Sequence, residues 1–272
     1  MSSASQSIHA DWYDTPAYYD IIFDQDTERE AIFLEAVVHK HGSGTHPACL
    51  HVLEPACGSG RLMLALAQRG HGVWGFDRNP NMVQHSSERM MLHGYAAVCW
   101  QDCMEIFAVP KAPVFDLAHC LVSTFKYLLR HEDACAHLRH VAACLREGGL
   151  YVLGIHLTNY DEPRAHHERW VGVRDGVRVT CNTHTWPADR KARTENLRTR
   201  LRIARDDREF LQETNWTFRT YNAAQVRGLL RSVPELKLVE CYDFTYNLDA
   251  PRKLDDSYAD IILVLRKQAP GC

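Results

Sequence analysis

Between residues 49 and 157, short apolar runs alternate with segments whose apolar positions recur at helical spacing. CLHVLE (49–54), GVWGFD (72–77), YAAVCW (95–100), VFDLAHC (114–120) and LYVLGIH (150–156) read as strands. RLMLALAQRG (61–70), NPNMVQHSSERMMLHG (79–94) and HEDACAHLRHVAACLREGG (131–149) read as helices. Asn79 is placed to cap the second helix, with Pro80 at its first position. In the third, Leu138, Val141, Ala142 and Leu145 form the apolar stripe, and Gly148-Gly149 is its expected end. Upstream, residues 16–41 read as helical, with Ile32, Phe33, Ala36 and Val37 on one face and Gly42 as a stop. Strands alternating with helices imply a parallel sheet with crossover helices on its faces.

After residue 160 the period changes to two. Asp175-Gly176 lies between two β-rich runs, the signature of a type I′ hairpin. Leu197, Leu201 and Ile203 alternate with Arg198, Arg200 and Arg202; Asp206-Asp207 marks a turn; Phe210, Trp216 and Phe218 then share a face. Such alternation predicts an antiparallel sheet with one buried face, its arginines facing solvent. A helix follows in NAAQVRGLLRSV (222–233), then two strands in LKLVECYDFTY (236–246) and DSYADIILVLRK (256–267). The chain therefore divides into an N-terminal helical cap (1–47), a doubly wound α/β core (48–158 and 233–268), and an inserted antiparallel sheet and helix (159–232).

Composition narrows the classes of partner. The chain has 272 residues, 46% hydrophobic and 24% charged, with 31 basic against 34 acidic side chains, a net charge of −3. No basic stripe stands out, so nucleic acid is not an expected partner. No apolar run approaches the ~18 residues of a membrane span, and the N-terminus lacks a basic region followed by an apolar stretch. A cytoplasmic protein with reduced thiols is expected, because the ten cysteines show no framework spacing. His137, His140 and Cys144 can share a helix face, but no HExxH or paired CxxC accompanies them. No metal is expected there; solvent-facing histidines and a packed cysteine are.

The chemistry concentrates in EPACGSG (54–60), a small-residue loop between the first strand and its helix. A dinucleotide loop would offer glycines and a helix N-terminus to a pyrophosphate. Here the third glycine position of that fingerprint is filled by bulkier residues, and Glu54 would repel a diphosphate. A carboxylate suits an ammonium instead. Asp77 ends the next strand about 20 residues on, where an acid can hold a ribose diol. Asp102 follows the third strand and can face an adenine edge. An ammonium, a ribose and an adenine without phosphate describe S-adenosylmethionine.

VLEPACGSG, GFDRNPNMV, WQDCMEIF, FDLAHCLVSTFKYL and LREGGLYVLGIH resemble, in order and spacing, the motifs of the class I S-adenosylmethionine-dependent methyltransferases. The resemblance covers residues 50–157 and the closing strands at 236–266. It implies a Rossmann-like seven-stranded sheet whose last strand is antiparallel, with S-adenosylmethionine as cofactor and S-adenosylhomocysteine as product. By the same resemblance Glu54, Ala56, Gly58 and Gly60 line the methionine part. Asp77 takes the ribose hydroxyls, with Arg78 and Met82 near the adenosine. Asp102 and Cys103 flank the adenine, and Cys120 and Leu121 lie against the methionyl end. Ala56 stands where many members have glycine.

Methyl transfer from a sulfonium is a direct displacement, so positioning carries much of the rate and no triad is required. The acceptor site lies beyond the carboxyl ends of the strands. That places Tyr18, Tyr19, Ser123, Lys126, Tyr127, His156 and Tyr160 within reach, with Tyr19, Tyr127 and His156 as the catalytic candidates. The cap and the inserted sheet are similar to those of small-molecule N-methyltransferases acting on amino sugars and glycine. In the amino-sugar group a histidine stands at the position of Tyr127, so His156 is a candidate to replace it. The expected acceptor is a small molecule, first an amine. O-methylation, protein methylation and a non-catalytic scaffold are the alternatives on this fold, and a nicotinamide oxidoreductase is the rival disfavoured by Glu54. Segment 121–125 lacks the N/D-P-P-Y/F signature of base-extruding enzymes. The inserted sheet is also a candidate homodimer contact.

Overall fold

Seven strands form the central sheet, with helices packed on both of its faces. The computed structural model describes residues 6–9, 11–43, 47–110, 113–206 and 208–269. Strand β1 (Gln6–His9) precedes helices α1 (Pro16–Phe23) and α2 (Thr27–His41). The core then runs β2 (His51–Pro55), α3 (Arg61–Gln68), β3 (Gly72–Asp77), α4 (Pro80–Leu92), β4 (Ala97–Gln101), β5 (Phe115–Cys120), α5 (His131–Cys144) and β6 (Leu145–His156). Strands β7 (His166–Arg174), β8 (Val177–Thr185), β9 (Thr194–Arg205) and β10 (Arg208–Arg219) follow, then α6 (Ala223–Arg231), β11 (Leu236–Tyr242) and β12 (Asp260–Lys267). The central order is β11-β12-β6-β5-β2-β3-β4, with β12 antiparallel to both neighbours. The order reverses at β2 and β5, and it is at such a switch that strand ends part to leave a crevice.

Local chemistry explains the element ends. The Asn79 side chain accepts the N–H groups of Asn81 and Met82, with Pro80 opening α4. Asp175 and Gly176 both have positive φ (51° and 75°) between β7 and β8, the type I′ geometry that glycine favours. Helix α5 ends earlier than its pattern suggests. It stops at Cys144, and Leu145 already pairs with Phe115 of β5. Residues 146–149 then form an irregularity before Leu150 pairs with Leu117, so the two glycines sit inside the strand rather than beyond the helix. Residues 16–41 break once, at a 3-10 turn over Asp24–Asp26.

The second sheet has the order β1-β10-β9-β8-β7. Its four long strands are antiparallel, as their alternation predicts. The fifth corrects the picture of a purely helical N-terminal cap: residues 6–9 pair in parallel with Phe210–Glu213. Leu201 and Ile203, with Val177, Val179 and Cys181, bury against Trp12, Ile21 and Ile22, so α1 lies under this sheet with a core of its own. Arg200 and Arg202 stand on the outer face and pair with Glu213 and Glu209 at 2.5 and 2.6 Å, while Arg198 lies over the Trp186 ring. Asp206 has φ 52°; its expected turn partner Asp207 lies outside the described residues. Helix α6 packs with the central core through Val226 and Leu229, not with the second sheet. The nine described cysteines are free thiols.

Candidate functional site

The turn from β2 into α3 is held by backbone and by one carboxylate. Ala56, Gly58 and Gly60 all have positive φ, at 55°, 54° and 73°. The Cys57 N–H donates to Phe76 O at 2.8 Å, and the Gly60 N–H to Cys57 O at 3.0 Å. At Gly60 a Cβ would stand 2.7 Å from Ser86 Cβ, so α4 approaches the loop too closely for any side chain there. Gly60 caps α3 in the left-handed conformation with no side-chain partner, leaving the first N–H groups of that helix uncapped. The Gly58 N–H donates to Asp77 Oδ2 at 2.9 Å and the Asn79 N–H to Asp77 Oδ1 at 2.8 Å. Asp77 thus ties the first two strand ends together. Burial raises its pKa, against the lowering effect of those N–H groups.

A cavity of about 440 Å³, open mouth included, lies over this loop. Glu54, Ala56, Gly58, Ser59, Arg61 and Tyr19 line it on one side, Cys120 and Leu121 on the other. Two polar atoms in its lining are buried without a partner, Glu54 Oε2 and Ser59 Oγ. Burial pushes the Glu54 carboxyl up to about 8, while Arg61 pulls it down and Glu30 and Asp77 push the same way as burial. Arg61 is committed to Glu30, which also accepts the Tyr246 hydroxyl at 2.8 Å. Cys57 packs beside Gly75, and burial holds its thiol well above the usual range, so it is neutral and not a nucleophile.

At the adenosine end, Met82 is fully buried and Arg78 is exposed. Asp102 is spent on its own loop: Oδ1 accepts the Cys103 N–H at 2.8 Å, and Oδ2 accepts the Ala108 N–H at 3.1 Å and the Trp100 indole at 3.3 Å. The Asp102 N–H donates to Asp77 O at 3.1 Å, which sets the loop beside the second strand end.

Above the cavity stands an aromatic group. Tyr19, at its lip, packs against Tyr13 with ring centroids 5.7 Å apart. The Tyr13 and Tyr127 hydroxyls lie 2.9 Å apart, and Phe218 of β10 meets the Tyr127 ring edge-on at 4.7 Å. Burial raises the pKa of all three tyrosines, and Asp77 adds to this, so all are neutral phenols near neutral pH. Tyr13 escaped the sequence reading. Its stretch, DWYD, carries no period, and its partner is 114 positions away.

Other candidates are placed elsewhere. His156 does not line the cavity: its ring bonds Asp260 at 2.6 Å and stands beside Phe244, with the side chain 43% exposed. Lys126 also turns away, because its buried ammonium pairs with Glu195 of β9 at 2.6 Å. Ser123 accepts the His156 N–H at 2.9 Å and holds the loop after β5 to β6. Tyr160 bonds Thr220 and Gln225 in a separate groove, and Tyr18 packs beneath the second sheet. His137 is not solvent-facing. It is buried, with Nδ1 3.1 Å from Met104 O and Nε2 2.8 Å from the Tyr151 hydroxyl, and burial lowers it to about 4. It falls on the apolar stripe of α5, three residues from Ala134 and four from Val141. Among the described residues no three metal-binding side chains cluster.

Residues 52–149 match the family model described as a methyltransferase domain. Those residues form a methyltransferase domain on the class I, Rossmann-like fold. No curated protein sequence matches the chain. Its fold is that of solved structures at low identity. One is an S-adenosylmethionine-dependent methyltransferase from Clostridium acetobutylicum, TM-score 0.74, 16% identical, covering 95% of this chain and 100% of that one. Another is DesVI from Streptomyces venezuelae, TM-score 0.73, 16% identical, covering 96% and 100%. A third is the sugar N-methyltransferase KedS8 from Streptoalloteichus, TM-score 0.71, 17% identical, covering 99% of each. No described helix is long and apolar enough to cross a membrane.

Proposed function

We propose that this methyltransferase moves a methyl group to the nitrogen of a small, uncharged-amine acceptor held under the second sheet. The observation that carries the cofactor side of the reading is the orphaned Glu54 Oε2, aimed into a cavity over a glycine loop that leaves helix N–H groups uncapped. A buried carboxylate without a partner is costly, and an arriving ammonium relieves that cost. The loop and Ser59 suit the carboxylate at the other side of the same amino-acid end. Asp77 keeps a free lone pair on each oxygen for the ribose hydroxyls. Met82 is placed to pack beside the nucleoside, and Asp102 shapes the adenine wall through its loop rather than by a free carboxylate.

When bound, S-adenosylmethionine supplies an electrophilic methyl on a sulfonium. Cys120 and Leu121 floor the cavity beneath it and exclude water. Tyr19 closes the lip, and the Tyr13–Tyr127 hydroxyl pair orients the acceptor's lone pair. Because these phenols stay protonated, they orient rather than deprotonate, which fits an amine that arrives neutral better than an alcohol needing a base. The amine reading draws further support from KedS8 being a sugar N-methyltransferase on this fold. His156 stands too far outside the lining to support a direct role. A homodimer contact on the second sheet would run along β7, an edge strand that exposes Val171 and Val173, and sedimentation tests it.

The deciding experiment pairs calorimetry with S-adenosylhomocysteine and transfer from labelled S-adenosylmethionine to a panel of amino sugars, other amines, phenols and thiols. Binding of S-adenosylhomocysteine and label on an amine are expected. Label confined to phenols or thiols would overturn the amine assignment; no binding by a folded protein would overturn the cofactor site.

A further inference from the structure

Strands β2 and β5 are parallel neighbours, with Val52 opposite Leu117 and Leu53 opposite Ala118. The next step along each strand brings Glu54 beside His119, on the face that packs against α2 and α3. His119 is fully buried, and neither of its ring nitrogens has a hydrogen-bond partner. His119 Nδ1 lies 3.9 Å from Glu54 Oε1, and Glu54 Oε2 is buried and unpartnered as well. Buried polar groups nearly always find partners, so two complementary orphans one short rotation apart call for an explanation.

The surrounding charges leave His119 no other partner. Arg61 of α3 is held by Glu30 of α2 and by Thr27, and Glu30 also takes the Tyr246 hydroxyl. Asp77 of β3 accepts two backbone N–H groups, and Tyr19 of α1 stands at the cavity lip. Burial and the Arg61 cation together hold the imidazole down to about 3, so it is neutral and has one N–H to give.

We propose that His119 is a positioning residue for cofactor capture: its Nδ1–H donates to Glu54 Oε1 and so fixes Oε2 toward the ammonium. The inference rests on the cofactor reading above. Before capture, burial that pushes the Glu54 carboxyl up to about 8 keeps it protonated at neutral pH. Capture then releases that proton to solvent, and the new carboxylate is shared between the ammonium on one side and His119 on the other.

The test is calorimetric binding of S-adenosylhomocysteine by wild type, His119→Leu, His119→Asn and His119→Gln, between about pH 6 and 9. Asparagine places an N–H near the position of Nδ1, whereas glutamine places one nearer Nε2. His119→Leu is expected to bind about tenfold more weakly, the scale of one hydrogen bond to a charged group. Its rising pH limb should move up by about one unit. His119→Asn should stay within about threefold of wild type with an unshifted limb. A packing role alone would lower the melting temperature without moving that limb. Wild-type affinity and pH limb in His119→Leu would overturn the proposal. Should the leucine variant not fold, equal losses in the Asn and Gln variants would overturn it instead. Wild type failing to bind would be a failure of the cofactor reading itself, seen before any variant is compared.

Discussion

Lys126 joins the loop after β5 to the second sheet, and removing its charge tests how that sheet is held. The ammonium is 2.6 Å from Glu195 Oε1, with side-chain exposures of 3% and 12%, and lies 5.3 Å from the Phe218 ring centroid. Lys126→Met keeps most of the packed stem but leaves Glu195 as an unpaired carboxylate in a low-dielectric place. Breaking a buried pair on one side costs about 3–5 kcal/mol. In a chain of this size that corresponds to a fall in Tm of roughly 10 °C. The double variant Lys126→Met/Glu195→Leu removes both charges and should return to within about 1.5 kcal/mol of wild type, because an apolar pair avoids the desolvation cost of the ion pair. Thermal and urea unfolding followed by circular dichroism provide the assay. A single variant within about 1 kcal/mol of wild type would refute the reasoning, as would a double variant no better than the single one.

Gly60→Ala forces a methyl to 2.7 Å from Ser86 Cβ at φ 73°, and should cost about 1–3 kcal/mol and weaken S-adenosylhomocysteine binding; Ser86→Gly in the same chain should recover part of the loss. Asp77→Asn removes one acceptor that ties Gly58 or Asn79, and calorimetry should show S-adenosylhomocysteine binding at least about tenfold weaker. Tyr13→Phe breaks the hydroxyl pair with Tyr127, so steady-state assays should show kcat falling while cofactor affinity is kept. The pH dependence of stability has two limbs. Glu54, raised to about 8, contributes stability at low pH that is lost as pH rises through 8. His119, lowered to about 3, contributes stability above its unfolded value that is lost as pH falls toward 3. The ligand-free Tm should therefore decline from about pH 6 to 8, and Glu54→Gln or saturating S-adenosylhomocysteine should flatten that decline.

The strand–helix alternation, the Asn79 cap and the Asp175-Gly176 hairpin could be read in the sequence because each is local: periodicity and turn chemistry act within a few residues. That Glu54, Asp77 and the loop between them meet at one place was legible for the same reason, since consecutive strand ends in a parallel sheet share one edge. What escaped is non-local. Strand β1 is four residues long, and nothing within it reveals a parallel partner two hundred positions away. His119 sits in an all-buried strand, where its neighbours read only as apolar, and its importance depends on register with β2. Lys126 reads as an acceptor-site cation until Glu195 is seen opposite it. The early end of α5 is set by a tertiary demand, the pairing of Leu145 with Phe115, which overrides good helical spacing.

The pairing of residues 6–9 with β10 bears on how far the second sheet can be treated as a module. That sheet is enclosed by chain that precedes the core: its edge is completed by β1, its underside by Trp12, Ile21 and Ile22, and its inner aromatic wall by Tyr13. If the acceptor is held under this sheet as proposed, its choice is written in two separated stretches that must be inherited together. A chimera that exchanged only residues 159–232 between two such enzymes would carry a sheet with a bare edge and a mismatched floor. Moving 6–23 with it is the smallest transplant that leaves the sheet complete.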